Sequence, residues 1–174
     1  MLMIARCPKS PDAPSAGFIL MELLIIIAIA GILAVIGIWS MTGLIARMKV
    51  MGAADLLKSQ LIVARTRAIT NPLTHCGVYY DRTNNRSLVF FDNNGDNAFT
   101  SGTDQILQNW TDLPKLVQLY TPSGADTIAG NVFIFRGDGS VKNGGGIGVH
   151  YKNKPTTCKT VYVVKTTGNV EITQ

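Results

Sequence analysis

The chain has 174 residues, 47% of them hydrophobic and 16% charged, with 16 lysines and arginines against 11 acids for a net charge of +5. That length supports one modest domain, and the basic excess is mild and scattered, so charge alone defines no partner. Three cysteines and two histidines, with no Cys-x-x-Cys pair, exclude an ordinary zinc module.

Residues 1–17 carry Arg6, Lys9, Asp12 and three prolines, and no apolar stretch leads up to Gly17. They do not read as an ordinary secretory signal, in which the apolar segment is removed. Here the apolar segment follows. From Leu23 to Ala46 run 24 residues without a formal charge, long enough for a helix to cross a hydrocarbon core of about 30 Å. Glu22 stands at the mouth of that run. A carboxylate costs on the order of 3 kcal/mol at a bilayer centre and less near the interface, so Glu22 wants a partner. Cleavage after Gly17 would supply one, the free α-amino group of Phe18 on a neighbouring copy. Arg6 and Lys9 put the leading side in the cytoplasm and the remainder outside the inner membrane. The competing reading is an uncleaved signal anchor whose Glu22 sits among headgroups.

Gly17-Phe18-Ile19-Leu20-Met21-Glu22-Leu23-Leu24 resembles the prepilin peptidase site of type IV pilins and type II secretion pseudopilins, whose pattern is Gly, cut, Phe-Thr-Leu-x-Glu-Leu-Leu. Ile19 replaces the usual Thr. The resemblance implies that Gly17 ends the leader, that Phe18 becomes the N-methylated first residue, and that Glu22 acts in assembly. Loss of Arg6, Lys9 and Asp12 would leave 14 bases against 10 acids, a net charge of +4. Cys7 would go with them. Cys76 and Cys158 then remain, and in an oxidising periplasm an even, minimal count reads as one disulfide closing a loop of about 80 residues.

The helix is expected to run from Phe18 to Asn71. Val50, Ala54, Leu57, Leu61, Ala64 and Ala68 recur at three- and four-residue steps, an apolar stripe with Lys49, Asp55, Lys58 and Arg65 on other faces. Pro72 ends it. Gly31, Gly37, Gly43 and Gly52 interrupt it, which permits bending or close helix approach. Beyond Pro72, short β-prone runs alternate with turn residues: 77–81, 87–92, 105–110, 116–120, 131–135, 148–151, 159–165 and 170–173. Thr83-Asn84-Asn85-Arg86 reads as a hairpin turn. The fold class is therefore α+β, a long N-terminal helix packed on an antiparallel β head. Its divisions are 1–17 leader, 18–46 transmembrane and assembly helix, 47–71 amphipathic continuation, and 72–174 head.

Ala64-Arg65-x-Arg67-Ala68-Ile69, Phe91-Asp92-x-Asn94-Gly95-Asp96, Val132-x-Ile134-x-x-x-Gly137 and Val163-x-x-Thr166-Thr167-Gly168-x-Val170 resemble the FimT/GspH branch of minor pilins and pseudopilins. This implies a head of two β-sheets and a low-abundance role near a fibre tip or in priming assembly. Partners would be other pilins or pseudopilins, the prepilin peptidase and the inner membrane. The protein would be single-pass, with its head in the periplasm until assembly carries it into a surface pilus or a periplasmic pseudopilus. Many pilins have a proline where this chain has Trp39, so melting of the helix at that point is in doubt.

Other constellations are weaker. Asp92, Asn94 and Asp96 offer oxygen ligands at alternating positions like the opening of a calcium loop, but Asn97 and Thr103 stand where an EF-hand needs Gly and Glu. A tight turn requires the same residue types. Some FimT-like members bind DNA through a C-terminal Gly-Arg-x-Arg; here the stretch is Gly168-Asn169-Val170-Glu171, without either arginine. Lys152, Lys154, Lys159 and Lys165 are the substitute candidates for DNA, or simply a solvated sheet face. His75 and His150 lack a nucleophile or carboxylate arrangement, and Gly144-Gly145-Gly146 lacks the Lys-Ser/Thr of a phosphate loop. No enzyme and no cofactor is expected. The function read here is a minor pilin of a type IV pilus; the alternatives are a type II secretion pseudopilin for protein export and a DNA-binding uptake subunit.

Overall fold

The computed structural model describes residues 20–122 and 131–173, with the side chains of residues 36–40 left aside. Gly17, Phe18 and the cleavage between them lie outside the described residues. One helix, α1 (Leu20–Thr70), is followed by eight strands: β1 (His75–Asp81), β2 (Arg86–Asp92), β3 (Gln105–Asp112), β4 (Val117–Tyr120), β5 (Val132–Phe135), β6 (Gly145–Tyr151), β7 (Lys154–Val163) and β8 (Val170–Thr173). The described chain divides into two units between Met41 and Thr42. Helical backbone passes through Trp39, a residue that does not bar it.

In the second unit, the stripe Val50, Ala54, Leu57, Leu61, Ala64 and Ala68 is buried throughout, joined by Ala46 and Ala53. Alanines lie on either side of the two leucines on this face, which lets the sheets approach the helix closely. Asn71 and Pro72 end the helix as expected; the Asn71 amide still donates to the Arg67 carbonyl at 3.0 Å, closing its last turn. The strands form two antiparallel four-stranded sheets, ordered β3-β2-β1-β5 and β4-β6-β7-β8. Val78, Tyr80, Val89, Phe133 and Phe135 of the first sheet share one core with the helix stripe and with Ile147, Val149, Val161 and Val163 of the second. A smaller cluster of Leu88, Phe90, Val132 and Ile134 occupies the first sheet's other face, under Tyr79, Phe99 and Trp110. Gly77 makes room for it, since a β-carbon there would come within 2.6 Å of Ile134 and 2.8 Å of the Phe90 ring.

Two polar devices bind the layers. Asn85, at φ 55° in the β1–β2 turn, takes the amide of Leu119 on its side-chain oxygen at 3.1 Å and donates to the Val117 carbonyl, so the first sheet's hairpin is tied to β4 of the second. Asparagine tolerates that left-handed backbone because its short amide finds local partners. At the helix exit, Arg65 donates to the carbonyls of Gly139 at 3.2 Å and Thr167 at 2.9 Å. Gly168 sits there at φ 62°, and any β-carbon would run into the Gly139 carbonyl. Arg65, Gly137 and Thr166-Thr167-Gly168 are far apart in sequence but meet in one clasp: Gly137 packs on Pro72 just past the helix.

Candidate functional site

The described residues of the first unit are all helical, and from Leu20 to Val35 they include eleven large apolar residues, all exposed, from Ile26 at 49% to Leu20 at 77%. They lie on every side of the helix rather than along one stripe, the mark of a helix meant to be covered all round by apolar surroundings. Leaving such side chains in water forgoes about 1.5–3 kcal/mol each. Within this stretch Glu22 is the sole charge, in the first turn of the helix and exposed. The helix dipole favours an acid there, and among the described residues Glu22 has neither ion pair nor hydrogen bond. Among the described residues no helix carries a stretch long and apolar enough to cross a membrane. The expected span includes residues 36–40, whose side chains are outside the description.

The expected Cys76–Cys158 bridge is not formed; both thiols are free. Cys158, on β7, lines a groove with Arg47, Met48, Val50 and Met51. Cys76, on β1, is buried near the charge of Arg67. Met51 and Arg67 are separated by sixteen residues of helix, about 24 Å at 1.5 Å per residue. A disulfide needs α-carbons within about 7 Å, so the two cysteines belong to opposite ends of the head. Burial pushes the Cys76 thiol up to about 12, with Arg67 and the Gly77 amide opposing this.

Asp92, Asn94 and Asp96 do not converge on a cation. The Asp92 carboxylate is buried and accepts from the amides of Gly95 at 2.7 Å and Asn97 at 3.0 Å. Asp96 accepts from the Ala98 amide at 2.8 Å and the Asn94 side chain at 2.7 Å, which hold its carboxyl below the usual range. Asp104 caps the loop by accepting from Asn93 and Thr100. These carboxylates already serve the backbone of a turn, and among the described residues no group of three His, Cys, Asp or Glu side chains is placed to hold a metal.

The four lysines considered for DNA do not form one patch. Lys152 and Lys154 flank the β6–β7 turn, Lys159 faces the groove beside Arg47, and Lys165 lies past the far end of β7. At about 3.3 Å per strand residue, Lys165 is roughly 20 Å from Lys159 and farther still from Lys154. His150 stands opposite Cys158 on the neighbouring strand, its ring 5.3 Å from that of Tyr120, and His75 begins β1 opposite Asp92. Neither histidine has a catalytic arrangement around it among the described residues.

No family model matches the sequence and no curated protein matches it. Among solved structures, the chain is similar to the minor pseudopilin EpsH from the type 2 secretion system of Vibrio cholerae, with a TM-score of 0.54 and 16% identity over 72% of this chain and 96% of that one. It is also similar to the type IV minor pilin FimU of Pseudomonas aeruginosa, with a TM-score of 0.55 and 12% identity over 74% of this chain and 90% of that one. The α+β fold, one long helix with two antiparallel sheets, is that of the minor pilins and minor pseudopilins.

Proposed function

We propose that the protein is a minor pilin subunit: cut after Gly17 by a prepilin peptidase, N-methylated at Phe18, held in the inner membrane by the apolar helix with its head in the periplasm, and assembled with other pilins into a type IV pilus or used to prime its assembly. The observation that carries this is the all-round exposed apolar helix from Leu20 to Val35 with one carboxylate in its first turn, attached in sequence to a head of minor-pilin fold. In assembly the helices of neighbouring subunits replace lipid, and Glu22 compensates a neighbour's terminal amine. The pseudopilin reading uses the same chemistry and has equal support in fold, since EpsH and FimU match about equally well. Which other pilins or secretion components co-purify with the chain separates the two.

The test of processing is the N-terminus. In cells with an active peptidase the mature chain is expected to begin at methylated Phe18 and to stay with membranes through an alkaline carbonate wash. A chain that keeps residues 1–17 in such cells contradicts the proposal.

A further inference from the structure

Six cationic side chains gather at one end of the head. Arg47 and Lys49 are the first charges after the uncharged run that ends at Ala46. The β6–β7 turn brings Lys152 and Lys154 to them: the Lys154 ammonium lies 3.9 Å from where a β-carbon on Gly43 would stand. The Lys152 amide donates to the Leu116 carbonyl at 2.8 Å, which places Lys115 at the same end. Lys159 and Arg47 line an open groove of about 730 Å³ together with Met48 and Met51. The groove exists because the ladder between β6 and β7 slips: His150 pairs with Cys158 but Tyr151 with Lys154, so residues 155–157 bulge out and Thr156 and Thr157 form its wall. Among the described residues the single ion pair is Arg86–Asp81, so none of these six cations is neutralised by a carboxylate.

We infer that this end of the head is a contact surface for anionic phospholipid headgroups, a reading that rests on the membrane anchoring proposed above. Gly43 to Ala46 are the last residues of the uncharged run, so with that run in hydrocarbon, Arg47 and Lys49 stand at headgroup level. A lipid offers both things the groove offers to meet: phosphate oxygens for Arg47, Lys154 and Lys159, and glycerol and upper-chain methylenes for the exposed Met48 and Met51. A nucleic acid would use the cations and leave the methionines uncovered. The subunit before assembly would thus be held against the inner membrane by its head as well as by its helix.

A cysteine placed in the groove wall, Thr157→Cys in a Cys158→Ser background, provides the readout. The full chain carrying it is reconstituted in vesicles of phosphatidylcholine and of phosphatidylcholine with phosphatidylglycerol, and the rate of modification at position 157 by neutral N-ethylmaleimide is followed by mass spectrometry. Anionic vesicles are expected to slow it by roughly fivefold or more; Lys154→Gln with Lys159→Gln, or high salt, restores the phosphatidylcholine rate, and Lys165→Gln at the far end of β7 does not. Equal rates in the two vesicles overturn the lipid contact alone, as does a Lys165→Gln effect as large as that of the double variant. Protection by a DNA duplex in phosphatidylcholine vesicles that matches or exceeds the effect of phosphatidylglycerol overturns it in favour of a nucleic-acid surface. A chain that does not float with either vesicle overturns the membrane anchoring and this contact together.

Discussion

The residues of α1 from Leu20 to Val35 and those from Thr42 to Thr70 are one helix written for two solvents. In the first stretch apolar side chains cover every side and a lone acid sits in the first turn. In the second, a stripe of alanines, valine and leucines is buried while Leu44, Ile45, Met48, Met51, Ile62, Val63 and Ile69 stay exposed, and charges return at Arg47, Lys49, Asp55, Lys58, Arg65 and Arg67. The second stretch is satisfied by its own sheets. The first is exposed throughout its described side chains, and under the proposed function it is lipid or copies of the same helix that cover it. A single helix can therefore be divided energetically in two, with the head's stability on one side and, under the proposed function, assembly on the other.

That division is sharpest at the core. Leu61→Ala removes a fully buried side chain where helix and sheets meet and is expected to destabilise the head by about 2–5 kcal/mol. Ile27→Ala, in the exposed stretch, should leave the head's unfolding transition within about 0.5 kcal/mol. Denaturant unfolding of the full chain in detergent, followed by tryptophan fluorescence, checks both; comparable losses would break the comparison.

A smaller effect is expected at the helix exit. Arg65→Met removes the two hydrogen bonds to Gly139 and Thr167 and leaves their carbonyls to water, at about 2 kcal/mol. The unfolding midpoint measures it, and an unchanged midpoint would show that the clasp is ornamental.

The head's stability should also fall on the alkaline side. The Cys76 thiol is held up to about 12, and burial raises the Tyr80 phenol further still. Both are ionised more readily when unfolded, so their contribution is complete below their ordinary values near 9 and 10 and is lost as pH rises towards their folded ones. Midpoints measured from pH 7 to 11 should hold level and then decline; a rise above pH 9 would contradict the burial of these groups. In the native chain without reductant, Cys158 should be alkylated and Cys76 should not.

The smallest effect belongs to calcium. With both Asp92 oxygens already accepting backbone amides, millimolar calcium is expected to leave the melting temperature unchanged within error. A clear calcium-dependent rise would reopen the loop as a site.

Much of this was legible in the sequence, for identifiable reasons. The helix's C-terminal end, the stripe and all eight strands follow from Pro72, from the three- and four-residue apolar steps before it and from the change of apolar period after it. The β6 and β7 strands start earlier than their composition suggests, at Gly145 and Lys154, because glycine and Lys-Pro-Thr-Thr lack strand propensity and enter through the ladder rather than through their own preference. The cysteine pairing was misjudged because a count of thiols carries no information about depth along the helix. The role of Arg65 was hidden for a related reason: its partners are carbonyl oxygens, which every residue has, so no pattern of side chains announces them. Glycines at Gly139 and Gly168 were the available signal.

α1 contains two acids, Glu22 in the exposed stretch and Asp55 on the solvent side of the head, and substituting each in turn tests the division of the helix most directly. Fibre or pseudofibre fractions from cells expressing Glu22→Ala or Asp55→Ala, normalised to the processed subunit in the membrane, give the measurement. Both variants are expected to be cleaved to Phe18, with Asp55→Ala incorporated at the wild-type level and Glu22→Ala largely excluded. Incorporation of cleaved Glu22→Ala at the wild-type level would contradict an assembly role for this carboxylate.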